Sequence, residues 1–282
     1  MKKLLAVLSL FVVAASIALS GEAWAASREN MRFVVIQPGQ PGSPEEAGPV
    51  LAVLGAKLGA MLGLEKAMEG KYCNELDQAA PLLRRFKPAW GIVSLPFYIR
   101  YAKQFGMAPL ASTRPGGKDK DVWRLMVKKD AATDWKSLSG VVSGSMLHIP
   151  QAAACLLFKT PAAKLPFQLD GTSRPLFALR SAAQGSLAGV VLDTPQFEAV
   201  GALPQAASLA ELYASDPLPT SPVVWFGKPD ERTSALAAAL RSLGGEPDAA
   251  DLLALLRTQG FGPPDIELGS LLMGADHGAC FP

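Results

Sequence analysis

Three cysteines, two histidines and an 18% share of charged residues are all that this 282-residue chain offers, and each shortage closes off a class of function. So few cysteines cannot build the disulfide framework of a small secreted scaffold, and no His or Cys stands at ligand spacing for a structural zinc. The G-x-S-x-G turn of a serine hydrolase is absent, and neither histidine is placed by spacing into a Ser-His-Asp set. A hydrolytic enzyme would need Asp193, His148 and a Ser to converge in the folded chain. No Gly-rich loop carries the Lys of a nucleotide phosphate site, so ATP or GTP hydrolysis is not expected. A formal net charge of +2 provides no basic surface for nucleic acid. Residues 57–70 do not supply a membrane span. Neither a metal nor a cofactor is expected.

What is present begins at the N-terminus. Lys2 and Lys3 precede an apolar core from Leu4 to Leu19 and the small-x-small site Ala23-Trp24-Ala25, a pattern that predicts a signal peptide over 1–25 and a periplasmic product. No Cys follows the apolar core, so a soluble monomer without a lipid anchor is expected. Its 257 residues suffice for two modest lobes or one large domain. In an oxidising compartment the odd cysteine count leaves at least one thiol unpaired in a monomer. Cys73 with Cys155 is the plain pairing, leaving Cys280 exposed or disordered, but the sequence does not decide it.

Hydrophobic runs alternate between strand and helix character, which predicts an α/β fold rather than a sandwich. Arg32 to Gln37 reads as a buried strand, followed by a Pro/Gly turn through Pro44 and a helix from about Glu45 to Leu64, with Pro44, Glu45 and Glu46 suited to its first turn. Asn74 and Asp77 look like a cap for a helix reaching Phe86. Ala89 to Val93 is a strand, and Pro96 opens a helix toward Phe105. Met107 to Ser112 and Val122 to Lys128 look extended around the loop Arg114 to Asp121, as in a crossing between lobes. Leu138 to Val142 is a strand ending in Ser143-Gly144-Ser145 before a helix from Pro150 to Phe158. Val190 to Leu192 leads into Asp193-Thr194-Pro195 and another helix. Pro222 to Phe226 reads as a strand, Thr233 to Leu243 and Ala249 to Thr258 as helices, and 262–282 as a tail that wraps the surface or frays.

Ligands of open α/β sheets gather beyond the C-terminal ends of strands, where helix N-termini present free N–H groups. Gln37, Ser94, Ser143 to Ser145 and Asp193 all fall at such ends. Ser94 can cap its helix or donate to a ligand, with Tyr98 one turn on. Ser143-Gly144-Ser145 reads as an anion cradle or as a simple turn. Asp193 suits an N-cap, or a carboxylate that accepts a proton from a solute oxygen or ammonium. His148 lies three residues past Ser145 and can line the same cleft; His277 sits in the tail. Arg100, Arg114 and Arg174 are the cations considered for an acidic solute, and Tyr72, Trp90 and Trp123 the aromatic linings.

Phe33-Val-Val-Ile36, Trp90 to Tyr98, Leu138-Ser-Gly140 with Ser143-Gly-Ser145, Val190-Val-Leu-Asp193 and Leu218 to Val224 together resemble the phosphate/phosphonate-type periplasmic substrate-binding proteins of ABC importers. That resemblance implies a two-lobe periplasmic-binding-protein-like fold, each lobe a mixed sheet flanked by helices, closing on a small anionic solute by a hinge. It implies lobe 1 over 26–108 plus 205–282 and lobe 2 over 109–204. It further implies a ligand set of Gln37, Ser94, Tyr98, Ser143, Ser145, His148 and Asp193, and an importer permease as partner. A sensor that docks on a signalling receptor is the alternative use of the same fold. One departure stands out: the family's Ser-Thr-Ser-Gly anion loop is Ser-Gly-Ser-Met146 here.

Overall fold

The computed structural model describes residues 31–275 and Cys280; the expected signal peptide over 1–25 and His277 lie outside them. From its N-terminal side the chain runs β1 (Phe33–Ile36), α1 (Pro44–Met61), β2 (Gly70–Cys73), α2 (Leu76–Phe86), β3 (Trp90–Val93), α3 (Leu95–Phe105) and β4 (Met107–Thr113). It crosses by β5 (Lys120–Asp121) into β6 (Arg124–Lys128), β7 (Val141–Gly144), α4 (Pro150–Phe158), β8 (Gln168–Gly171), α5 (Pro175–Gln184), β9 (Gly189–Leu192), α6 (Thr194–Val200) and β10 (Leu209–Ala214). It returns by β11 (Leu218–Pro219) to β12 (Pro222–Phe226), α7 (Glu231–Leu243), α8 (Ala250–Leu255), β13 (Phe261–Gly262) and α9 (Leu268–Ala275).

Two sheets result, ordered β13-β4-β12-β3-β1-β2 and β10-β6-β9-β7-β8, with β5 and β11 forming a two-stranded ribbon between them. Each sheet has a parallel core of three strands, β2-β1-β3 in one and β8-β7-β9 in the other, flanked by antiparallel strands that adjoin the crossings. The apolar runs explain this. In β1, Phe33 and Val35 face one helical layer while Val34 and Ile36 face the other, because side chains alternate along a strand and both faces are covered. In β9, Val191 and the pair Val190 and Leu192 divide in the same way.

The core below the cleft is continuous. Ile36, Phe97 and Tyr98 of the first lobe share one apolar cluster with Leu125, Val142 and Leu147 of the second. Helix α3 packs on α4 across the boundary, and α9 packs on α3.

Several expectations shift. The boundary at 108/109 cuts through β4, which belongs whole to the first sheet, and the boundary at 204/205 would give β10 to the first lobe although it pairs with β6. The chain passes between lobes at 114–123 and 215–221 instead, where pairing is limited to the short ribbon. Cys155 is bonded to Cys280, not to Cys73, which is a buried thiol; α9 brings the chain back over α3 and so toward α4. The tail therefore carries structure: β13 pairs with β4, and Leu268 is buried. Asn74 does not cap α2; its Nδ2 donates to the carbonyls of Gln40 (2.9 Å) and Gly42 (2.7 Å). Ser143 and Gly144 are the last residues of β7, not a free turn.

Candidate functional site

A cleft of about 320 Å³ opens between the lobes. It is built by the strands β1, β2 and β3, the loop after β1, the N-terminal half of α1, the end of α8 with the turn after it, the start of α6 and both crossings.

The loop 37–43 is fastened before it reaches the cleft. Gly39 N donates to Asn74 O at 3.1 Å and Gln40 N to Gln37 O at 3.0 Å, while Asn74 grips the loop from the side. Ser43 ends it as the N-cap of α1, in a reciprocal pair with Glu46: Glu46 N donates to Ser43 Oγ at 3.2 Å and Ser43 N to Glu46 Oε2 at 2.9 Å. The Gln37 side chain reaches Ser221 Oγ of the second crossing at 3.4 Å.

Opposite it, Asp193 caps α6, accepting from Gln196 N at 2.8 Å through Oδ1. Its Oδ2 has no hydrogen bond among the described residues. Asp121 lies nearby on the first crossing and is fully engaged, accepting from Val122 N (2.8 Å), Thr194 N (2.9 Å) and Trp123 Nε1 (3.1 Å). Burial first, then the Asp121 carboxylate, push Asp193 up to about 6, against smaller opposing pulls from Gln196 N and Arg257. Two acids at one helix start leave no free N–H there for a solute anion.

The positive charge of the cleft is Arg257, which no sequence signal marked. It follows α8 in the left-handed region (φ 55°), an uncommon conformation for a side chain other than Gly, and its Nη1 donates to Gln40 Oε1. Tyr72 lines the cleft beside it, its phenol pushed up by burial against the pull of the Arg257 charge.

Of the seven residues expected to bind, Gln37 and Asp193 reach the cleft; the other five are placed elsewhere. Ser94 caps α3, accepting from Phe97 N at 3.4 Å. Tyr98 is 1% exposed and sits in the core, its phenol pushed to about 12 by burial. Ser143 is buried within β7. Ser145 Oγ accepts from Gln196 Nε2 at 2.8 Å, and its carbonyl is covered by Gly39: a Cβ added to Gly39 would lie 2.3 Å from it. The His148 ring lies between the lobes, 2.5 Å from a Cβ built on Gly39 and 2.5 Å from one built on Gly171. Thus the loop of the first lobe rests on the turn read as an anion cradle, and the lobes are closed. Burial lowers the pKa of His148, with a hydrogen bond to the Thr172 backbone and the Asp170 charge opposing.

Arg100, Arg114 and Arg174 do not line the cleft; Arg114 pairs with Asp119 at 2.7 Å, and Arg100 covers the Tyr101 ring. Trp90 is stacked on Phe33 and Trp123 is buried, so Tyr72 alone of the considered aromatics faces the cleft.

No family model and no curated protein matches the chain. Solved structures do. XAC2383 from Xanthomonas citri, bound to chloride ion, aligns with a TM-score of 0.67 at 18% identity, over 88% of this chain and 96% of its own. The binding-protein component PA3383 of an ABC phosphonate transporter from Pseudomonas aeruginosa aligns at 0.62 with 13% identity, over 88% and 86%. PhnD1 from Prochlorococcus marinus, in complex with methylphosphonate, aligns at 0.61 with 11% identity, over 88% and 97%. The fold is that of the two-lobe periplasmic binding proteins. Among the described residues His148 Nε2 is buried without a hydrogen-bond partner.

Proposed function

We propose that this chain is a periplasmic solute-binding protein that captures a small oxyanion-bearing solute, such as a phosphonate or a phosphate ester, and delivers it to an ABC importer. In this reading Arg257 meets the acidic group, and Asp193 accepts a hydrogen bond from a protonated oxygen or an ammonium on the same molecule. The observation that carries it is the Asp193 carboxylate, with one oxygen unbonded in a cleft walled by both lobes and Arg257 as the counter-charge. A fully ionised inorganic dianion fits poorly, since Asp121 and Asp193 would repel it. The architecture shared with a component of a phosphonate transporter and with a methylphosphonate complex supports the cargo class.

Calorimetric titration of ligand-stripped protein with phosphonates, aminophosphonates, phosphate esters and inorganic phosphate tests this. The expected result is binding of a monoanionic or zwitterionic member, weakened at least tenfold, about 1.4 kcal/mol, in both Asp193→Asn and Arg257→Gln. Failure of every oxyanion to bind, or unchanged affinity in both variants, overturns the assignment. Solute uptake that persists without the protein would separate capture from delivery and favour a receptor-docking role.

A further inference from the structure

One wall of the cleft is apolar in a way that an oxyanion does not require. Tyr72, Val35 and Ile92 are register partners on the adjacent strands β2, β1 and β3, so their side chains form a single row on one face of the sheet. Ala47, Val50 and Leu51 of α1 face that row, at the i, i+3, i+4 spacing of one helix face. The end of α8 and its C-cap close the cleft with Leu255 and Leu256, and Leu255 is 66% exposed although it borders the cleft. The charged and hydroxyl groups lie at the margins of this wall: Ser43 and Glu46 at the N-terminal end of α1, where they are engaged with each other, Asp193 from the second lobe, Asp121, Thr220 and Ser221 from the crossings, and Arg257 next to Leu256.

Size points the same way. The cleft's 320 Å³ corresponds to roughly ten liquid waters, and a bare tetrahedral oxyanion fills less than about half of that. Such an ion, held by Arg257 and Asp193, would leave the row of Tyr72, Val35 and Ile92 against water.

We infer that the cargo is amphiphilic: a small acid whose alkyl or aryl body lies between the Tyr72–Val35–Ile92 row and α1, with its charged head toward Arg257 and Asp193. The inference deepens the proposed solute-binding role and rests on it for the position of the head group, but not for the kind of head.

The test compares paired ligands that differ only in the body, by calorimetry on the full mature chain: methylphosphonate with phenylphosphonate, acetate with phenylacetate, and glycine with phenylalanine. In at least one pair the larger member binds tenfold or more tightly. Leu255→Ser, at an exposed position where folding is not at risk, reduces that ratio at least threefold. If the advantage appears only in a carboxylate or amino-acid pair, the amphiphilic inference stands and the phosphonate assignment falls. Equal affinity within every pair, or no binding by any larger member, overturns the inference. So does an advantage that Leu255→Ser does not reduce.

Discussion

Asp193 combines two demands that conflict. As the N-cap of α6 it must present an oxygen to Gln196 N, and as a neighbour of Asp121 it stands beside a second carboxylate in a half-buried position. Because the folded protein raises this acid from 3.8 to about 6, it holds the proton more tightly than the unfolded chain does. The stability of the unliganded protein therefore falls as pH rises from about 4 through about 6. Asn retains a capping oxygen and carries no charge. Asp193→Asn is accordingly expected to melt higher than the wild type at about pH 8, with the gap shrinking toward about pH 4. A lower melting temperature at the higher pH, or a gap independent of pH, would refute the repulsion. At this scale the sequence was partly legible. Asp193 and Gln37 were visible as polar residues at strand ends, whereas Arg257 was not, since nothing local to an α8-and-turn segment says which surface it will face.

Among the elements, the loop 37–43 decides how the lobes meet. Gly39 has φ 83° and lies against the Ser145 carbonyl and the His148 ring. Alanine there costs about 1 kcal/mol in backbone strain and also meets the backbone carbonyl of Ser145, which opens the short 3-10 turn directly after β7. Gly39→Ala is expected to keep its secondary structure, to hold the lobes further apart in small-angle scattering, and to weaken ligand at least tenfold. Wild-type affinity in that variant would show that the contact is incidental to closure. The elements with strong apolar periods, β1, β3, β9, β12, α1 and α3, could be read directly. Those on sheet edges could not: β2 (Gly-Lys-Tyr-Cys) and β8 (Gln-Leu-Asp-Gly) have little to bury, and only their neighbours make them strands. The supposed anion cradle failed for a related reason, because pairing with β8 and β9 extends β7 through Ser143 and Gly144.

Over the whole molecule, the Cys155–Cys280 bond ties α4 of the second lobe to a tail whose preceding helix, α9, packs on α3 of the first. It is thus a covalent link between lobes in addition to the two crossings. With its ends separated by 125 positions in the sequence, it restricts the unfolded chain strongly, and its loss should cost about 2–4 kcal/mol. Cys155→Ser is expected to melt lower and, without ligand, to sample wider lobe separations by scattering, while Cys73 resists alkylation until unfolding. A scattering profile identical to the oxidised protein would limit the bond to a stabilising role. What the sequence alone determined is the alternation of strand and helix and the acid at the end of β9, since these follow from local periodicity and capping chemistry. The tertiary structure decided the cysteine pairing, the burial of Ser143, Ser145 and Tyr98, and the placing of Arg257 and Asp193 in one cleft, because each depends on which distant surfaces the folded lobes bring together.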